Sequence, residues 1–342
     1  MSAPASVLAL RAARVGDTLH VRPALELLRR ALPDARLVLV CSDYAAAAAR
    51  GLPLDAVVPY PHKGRGPAAW AARARARAAL AALGPFELAL GLEDKPWARR
   101  LAALVGARRF AAESAWGEHV VERKAGVLVP LGLYDPARDG PPPPIRWAPT
   151  PAARDQARAL LAQAPRPRVL LQAGSHATAG LLAPRRRRDP HPRWLLALGR
   201  ALAARLDATL VLQSGLGGRE ARAAAALARA LRLAGARVVH LEGLDLEGLG
   251  GALSELCAVV SANTGPAHLA AALGKPVVLL EGPSTRAARP WRAEATTAVL
   301  DRGLPCSPCG GTAHGRACAV PACLDGIPPA EVVSALRVLL RA

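Results

Sequence analysis

The chain of 342 residues contains few aromatic side chains and almost no methionine. Phe, Trp and Tyr together make up 3% of it, with two Phe and three Tyr. This scarcity argues against binding of single-stranded nucleic acid, because proteins of that class stack bases on aromatic rings. Hydrophobic residues nevertheless reach 52%, which excludes a disordered chain. The cores must therefore be built from Ala, Leu and Val, packed as helices and buried strands.

The sequence also lacks a long apolar run. The longest uncharged stretch, residues 256–274, carries Ser261, Asn263 and His268 and does not resemble a membrane-spanning helix. No basic segment precedes the short apolar run at residues 7–10, so we expect no signal peptide and a cytoplasmic location. In that compartment the six cysteines should be reduced unless they bind a metal.

Acidic residues are outnumbered, with 26 Asp and Glu against 45 Lys and Arg, a formal net charge of +19. Only four of the basic residues are lysines, which leaves 41 arginines. Ala, Arg, Gly and Pro are all abundant and all have GC-rich codons, so codon bias accounts for part of the excess. An anionic partner surface is the other explanation.

Short apolar runs alternate with helical patterns, which predicts parallel sheets with crossover helices. The alternation stops at residues 134–151, where seven prolines indicate a stiff extended linker. We therefore predict an α/β protein with a first domain at 1–150, a second at 151–325 and a last helix within 326–342. Ligands of such sheets bind at the carboxyl ends of the strands, so the two domains should face a cleft.

Asp17 follows the first predicted strand, in the segment Gly16-Asp17-Thr18-Leu19-His20. A carboxylate at the carboxyl end of a strand can accept a proton from a substrate hydroxyl. Asp is also favoured as the N-cap of a helix. The spacing alone leaves both interpretations open.

A second polar turn, Asn263-Thr264-Gly265-Pro266 followed by His268, joins a buried strand to a helix. Free N–H groups at a helix start favour anions such as a diphosphate. We therefore take Asn263, Thr264, Gly265 and His268 as candidate ligands. The alternative is an ordinary loop in which Asn263 or Thr264 caps the helix and His268 packs on the sheet.

Three further segments carry candidate groups. Ser175 follows the first strand of the second domain, and a basic run ending in Arg187 and Arg188 comes after Ser175. Hydroxyls beside arginines suit the binding of phosphate. The alternative is that this charge run is simply a solvated loop. Residues 215–220 resemble a dinucleotide fingerprint, but Glu220 replaces its third glycine. Glu220 suits ribose hydroxyls, or is simply an acidic residue in the first turn of a helix.

Four cysteines lie within eighteen residues: Cys306, Cys309, Cys318 and Cys323. Their spacing is feasible for a tetrahedral structural zinc but is not that of a standard zinc finger. Free thiols or a disulfide pair are the alternatives.

These pieces in this order resemble the ADP-heptose:lipopolysaccharide heptosyltransferases, glycosyltransferase family 9. Residues 6–11, 16–20, 23–25 and 29–33 resemble the start of the family's sequences nearly residue for residue. The turn at 263–266 with residues 268–274 resembles the family's donor-site signature. Residues 282–284 match a following family turn. The tail, with its cysteines, Cys323-Leu324 and Ile327, resembles the heptosyltransferase II branch. The similarity is weak at residues 57–165.

The resemblance implies a GT-B fold of two Rossmann-like domains, with the last helix returning to the first domain. It implies an inverting transfer of heptose from ADP-heptose to the inner core of lipopolysaccharide, with Asp17 as catalytic base. Arg187 or Arg188 falls near a phosphate-binding lysine of the family, and Glu220 matches a donor-binding acid. Thr264, Gly265 and His268 match the diphosphate loop. No metal cofactor is implied. At position 263 the family usually has Asp, whereas this chain has Asn.

The expected partners are a nucleotide-sugar donor and an anionic, lipid-linked saccharide acceptor, reached by peripheral contact with the inner face of the cytoplasmic membrane. We expect a monomer that does not bind nucleic acid. The alternatives are a glycosyltransferase of the same fold that uses another nucleotide-sugar, and a non-catalytic anion-binding α/β protein.

Overall fold

The computed structural model describes residues 4–93, 95–112, 116–174, 189–215, 218–310, 312–318 and 320–341. The chain divides into two compact units, Met1–Trp147 and Ala148–Ala342. The division lies inside the proline-rich segment, where the sequence analysis placed a boundary after residue 150.

The first unit is a parallel sheet in the order β3-β2-β1-β4-β5, flanked by helices. Its described strands are β1 (Ser6–Arg11), β2 (Arg36–Cys41), β3 (Ala56–Pro59), β4 (Leu88–Gly91) and β5 (Arg109–Ala112). Its α-helices are α1 (Val15–Leu19), α2 (Arg22–Ala31), α3 (Pro67–Leu83), α4 (Pro96–Leu104), α5 (Val120–Ala125) and α6 (Pro136–Asp139), and two 3₁₀ helices cover Asp43–Ala49 and Gly126–Leu131.

Both faces of this sheet are covered, as a central parallel strand requires. Every residue of β1 is buried. Val7 and Ala9 face a cluster that includes α2, whereas Leu8 and Leu10 face the cluster formed with α3 and α4. The helices α3 and α4 therefore lie on the same face of the first sheet.

The second unit is also a parallel sheet, in the order β11-β10-β9-β6-β7-β8. Its described strands are β6 (Arg168–Leu171), β7 (Thr209–Ser214), β8 (Val238–Glu242), β9 (Ala258–Ala262), β10 (Val277–Leu280) and β11 (Thr297–Leu300). Its α-helices are α7 (Pro151–Leu160), α8 (Pro192–Leu206), α9 (Gly218–Leu233), α10 (Leu246–Ser254), α11 (Gly265–Ala272), α12 (Ala313–Ala317), α13 (Ala322–Asp325) and α14 (Pro329–Arg341); short 3₁₀ helices cover Arg286–Ala288 and Glu294–Thr296.

The first part of the predicted linker, up to Trp147, packs on the first unit. Tyr134 and Trp147 are buried in the first unit. The Trp147 indole N–H donates to the carbonyl of Ala47 at 2.9 Å, and the Arg50 guanidinium lies over its ring. The chain up to Trp147 is therefore fixed to the first unit, and α7 begins four residues later, at Pro151.

The last helix corrects the expectation that residues 326–342 leave the second domain to pack on the first. In α14, Val332, Val333 and Leu336 are buried in the hydrophobic core of the second unit. The helix packs against α8, β10 and β11. The physical reason is that its apolar face supplies the layer that covers this end of the second sheet.

Candidate functional site

The polar loops of the first unit converge where its strand order reverses. β1 is paired with β2 on one side and with β4 on the other. Open parallel sheets bind ligands at the carboxyl ends of the strands beside such a reversal. The loop after β1 carries Asp17, and the loop after β4 carries Glu93, so both carboxylates lie at the predicted position for a site.

Asp17 is not a helix cap. It lies in the first turn of α1, and the N-cap residue of that helix is Arg14. The Asp17 carboxylate instead pairs with Arg11, the last residue of β1, with Oδ1 at 3.1 Å from Nη2. Its side chain is 44% exposed, and that of Arg11 only 10%. A half-exposed carboxylate held by a buried guanidinium is suited to act on a substrate.

A second carboxylate, which the sequence analysis did not single out, lies behind this pair. Glu93 Oε2 is 3.5 Å from Arg11 Nη1, and Oε1 accepts a hydrogen bond from the backbone N–H of Ala12 at 3.1 Å. Burial raises the pKa of Glu93, and the nearby positive charges of Arg11 and Lys124 act against that rise. Glu93 is 8% exposed at its side chain, so it supports the site from inside.

The loops after β2 and β3 add neutral polar groups on the same edge of the sheet. Ser42 Oγ lies 3.3 Å from His62 Nδ1. Burial lowers the pKa of His62, and the neighbouring charges of Lys63 and Arg11 lower it further. The sequence analysis missed His62 because its position becomes informative only once β3 is placed beside β2.

The second unit shows the same arrangement between β6 and β9, which are paired in the middle of its sheet. β6 leads to Gln172 and Gly174, and β9 leads to Asn263 and Thr264. The turn predicted to bind a diphosphate therefore lies at the strand-order reversal of the second sheet.

The side chains of this turn are fixed by hydrogen bonds. His268 Nε2 donates to Asn263 Oδ1 at 2.8 Å, and Asn263 Nδ2 donates to the carbonyl of Ala288 at 3.2 Å. Thr264 Oγ1 lies 2.8 Å from Ser261 Oγ. Thr264 is the N-cap residue of α11, yet its side chain makes no capping bond. The Gly265 N–H is therefore not capped by the Thr264 side chain, Pro266 has no N–H, and the N–H groups of Ala267 and His268 donate to the carbonyl of Thr264.

Glu220 lies in the first turn of α9, at the end of the loop after β7. Its Oε1 is 3.4 Å from Gln172 Nε2, which also donates to the carbonyl of Gly174 at 2.6 Å. Burial raises the pKa of Glu220, and the neighbouring carboxylate of Asp189 raises it further. Glu220 thus reaches the end of β6 beside the predicted donor turn. Ser175, Arg187 and Arg188 lie outside the described residues.

The four C-terminal cysteines come near one another without forming a metal centre in the described structure. Burial raises the pKa of Cys323 to about 11, and Cys309 and Cys318 add to the rise. The described part of the chain holds no group of three or more His, Cys, Asp or Glu side chains placed to bind a metal ion. A structural zinc held by Cys306, Cys309, Cys318 and Cys323 therefore remains a prediction.

Among the described residues, no helix has both the length and the apolar character needed to cross a membrane.

Two parallel α/β units, each with polar loops at its strand-order reversal, define the GT-B fold of nucleotide-sugar glycosyltransferases. The chain's residues 94–314 match the sequence model of glycosyltransferase family 9 (heptosyltransferase). A search of curated protein sequences returns no significant match.

Solved structures show the same fold over the full chain. A family 9 glycosyl transferase from Veillonella parvula superposes with a TM-score of 0.78 at 17% identity, covering 100% of this chain and 99% of that one. The ADP-heptose lps heptosyltransferase II of E. coli gives 0.73 at 17% identity, covering 98% of each chain. The E. coli heptosyltransferase WaaC, solved with ADP, gives 0.61 at 22% identity over 86% of this chain and 92% of its own.

Because the family match spans more than half of the sequence, the chain belongs to glycosyltransferase family 9. It is a glycosyltransferase, which confirms the predicted enzyme class and GT-B fold.

Proposed function

We propose that this enzyme transfers a heptose from ADP-heptose to the inner core of lipopolysaccharide, with inversion at the anomeric carbon. The family match and the heptosyltransferases among its structural neighbours support this donor and reaction. The observation that carries the proposal is the Asp17 carboxylate, half-exposed and bound to Arg11 at the reversal point of the first sheet.

In the proposed step, Asp17 accepts the proton of the acceptor hydroxyl while the hydroxyl oxygen attacks the anomeric carbon. A new carbon–oxygen bond forms on the face opposite the departing group, and the bond to the diphosphate breaks. The electron pair of that bond leaves with ADP. The sugar ring passes through an oxocarbenium-like state, as in other glycosyl transfers. An ionised carboxylate is needed because a sugar hydroxyl is a poor nucleophile at neutral pH.

The start of α11 would stabilise the departing diphosphate. The N–H of Gly265 and the helix dipole favour negative charge, and a preorganised donor of this kind lowers the barrier to charge separation. We place the diphosphate at Thr264 and Gly265, with His268 one turn further. Glu220 would bind the ribose hydroxyls, and Ser175, Arg187 and Arg188 remain candidate phosphate ligands. No metal ion is assigned a step.

The acceptor would be an anionic, lipid-linked saccharide, met by a cytoplasmic enzyme that contacts the membrane peripherally. The outer side of α3 and α4 supports this. No acidic residue occurs in residues 61–86 or 95–112. Trp70 is 62% exposed and Leu104 is 67% exposed. The exposed cations around these helices are Lys63, Arg65, Arg75, Arg77, Lys95, Arg99, Arg100, Arg108 and Arg109.

An anionic leaflet attracts such a surface with about 1 kcal/mol per basic residue, and Trp favours the interface between lipid and water. Co-sedimentation with phosphatidylglycerol vesicles tests the contact. Arg75→Glu with Arg77→Glu should abolish binding, whereas the same change in charge at Arg222 and Arg229, exposed on α9, should weaken it far less. Equal losses in both pairs would show that only the net charge matters.

The reaction itself is tested by incubating the enzyme with ADP-heptose and a heptose-deficient lipopolysaccharide acceptor. We expect ADP release matched by a new glycosidic bond of inverted anomeric configuration, detected by mass spectrometry and NMR. ADP, GDP and UDP should be compared in thermal melts, since a ligand at 100 times its Kd adds about 2.7 kcal/mol of stability. Stabilisation by GDP or UDP but not ADP would support the alternative of another nucleotide-sugar.

A further inference from the structure

We infer that Arg11 and Glu93 form a positioning pair that holds Asp17 in its reactive orientation; this inference rests on the proposed role of Asp17 as the base. Arg11 ends β1, and Glu93 follows the end of β4. The two strands are neighbours, with Leu10 in register with Gly91. The sheet therefore brings the two side chains together at its reversal point.

The Arg11 guanidinium joins three groups from the two loops. Nη2 contacts Asp17 Oδ1 at 3.1 Å, while Nη1 donates to the carbonyl of Leu92 at 3.3 Å and lies 3.5 Å from Glu93. A guanidinium presents its N–H groups in a rigid planar fork. Once its Nη1 is fixed by the β4 loop, the position of its Nη2 is fixed as well.

Glu93 fixes this arrangement from the buried side. One of its oxygens contacts Arg11, and the other accepts the N–H of Ala12. Glu93 therefore restrains both the side chain of Arg11 and the backbone immediately after it. A buried charge is costly unless it is paired and hydrogen-bonded, and both of its oxygens meet that condition. Glu93 does not touch solvent enough to act on the substrate, so its effect must pass through Arg11.

The consequence for Asp17 is that its two oxygens differ. Oδ1 is engaged by Arg11, whereas Oδ2 has no hydrogen-bond or ion-pair partner among the described residues. Without Arg11, a half-exposed Asp in a five-residue helix would rotate among its staggered rotamers. The pair keeps Oδ2 available for the acceptor hydroxyl, and displacement of a catalytic group by about 1 Å can cost about 100-fold in rate.

Steady-state kinetics of three variants test the inference. Arg11→Ala should lower kcat about 100-fold and Glu93→Gln about tenfold, with the donor KM within about threefold of wild type, because geometry rather than binding is lost. Arg11→Lys should recover part of the Arg11→Ala loss. Added guanidinium at sub-denaturing concentration should raise kcat of Arg11→Ala, but not that of wild type.

Arg22→Ala is the matched control. Arg22 is another buried arginine of the first unit, but its Nη1 donates to the backbone carbonyls of Ala48 and Arg50. Removing it should lower the melting temperature, leave kcat within about twofold, and show no response to guanidinium. If Arg11→Ala behaves like Arg22→Ala, Arg11 is structural and the inference is wrong.

A double variant separates this inference from the proposed function. Adding Arg11→Ala to Asp17→Asn should lower kcat no further, because residues that act as a unit are not additive. Independent losses would overturn the positioning role. If Asp17→Asn alone keeps wild-type turnover, Asp17 is not the base, and the proposed function fails independently of the positioning pair. If Asp17→Asn is inactive while Arg11→Ala and Glu93→Gln are fully active, only the positioning pair fails.

Discussion

The edges formed by the carboxyl ends of the strands in the two sheets of this glycosyltransferase carry different kinds of polar groups. In the first unit, Arg11 lies between two carboxylates, those of Asp17 and Glu93. In the second, Asn263 and His268 form a hydrogen bond beside the start of a helix. The first edge is therefore arranged to hold a negative charge in place, and the second to receive one.

This difference matches two separate tasks of a glycosyl transfer. A base must stay ionised and correctly oriented before the bond breaks. The binding site of a leaving diphosphate must instead offer hydrogen-bond donors and positive potential to the departing charge. Each unit has one of these properties at its own reversal point, and variants confined to one edge should impair one task.

The largest effect is expected from Asp17→Asn. The amide keeps the shape of the carboxylate but cannot accept a proton at neutral pH, and loss of a general base typically costs about 10² to 10⁴ in rate. Turnover should be measured at saturating donor and acceptor, with circular dichroism to verify folding. Turnover within threefold of wild type would reduce Asp17 to a structural residue of α1.

A change at the second edge should act on donor affinity. Thr264→Val combined with His268→Ala should weaken ADP binding by about 1.5 to 3 kcal/mol, the range for hydrogen bonds to charged groups. Titration calorimetry measures it directly. Thr150→Val is the matched control, because Thr150 caps α7 in the same unit through the N–H of Ala153. Unchanged affinity in the double variant would move the diphosphate away from α11.

Whether the sequence alone could predict a contact at these sheet edges depends on how far apart the two contacting residues lie along the chain. The strand–turn–helix patterns around Asp17 and Asn263 are local, so the fold and the placement of both turns could be predicted. Ala12 and Glu93 are 81 positions apart and meet only because β4 lies beside β1. No local pattern contains that contact.

The last helix, α14, shows a second limit of what the sequence alone can predict. The last helix predicted within residues 326–342 is present as α14, but the domain on which it packs was predicted wrongly, because amphipathic periodicity indicates a buried face without indicating which core buries it. Leu324 and Val332 pack with the strands of the second unit.

Asn263→Asp is expected to have a moderate effect. The carboxylate would keep the bond from His268 but lose the donation to Ala288, and it would place a negative charge beside the departing diphosphate. We expect kcat or the preference between ADP-heptose and a second ADP-sugar to change, with stability reduced by about 1 kcal/mol or less. Kinetics with both donors and a urea titration check this. Identical kinetics with a large stability loss would make Asn263 a purely structural residue.

The smallest effect is expected from a second arginine–aspartate pair of the first unit. Arg29 Nη2 lies 2.7 Å from Asp55 Oδ2. The backbone N–H of Leu37 and the Arg29 side chain lower the pKa of Asp55. The resulting stability is present above the ordinary pKa of the carboxyl and disappears as the pH falls through the lowered value.

Asp55→Asn should cost less than about 1 kcal/mol at pH 7, because solvent screens this half-exposed pair. Its effect should vanish at low pH, as urea titrations across the acid range would show, and kcat should stay unchanged. If Asp55→Asn lowers kcat, an arginine–aspartate pair of this unit affects activity through packing. The importance of the Arg11–Asp17 pair would then not come from its position at the sheet edge.

The separation of tasks between the two edges is tested most directly by ADP calorimetry on Asp17→Asn. The account predicts an ADP affinity within about threefold of wild type in a variant that no longer transfers sugar, since the altered carboxylate belongs to the edge that does not bind the diphosphate. A loss of ADP affinity as large as that of the Thr264 and His268 double variant would contradict it.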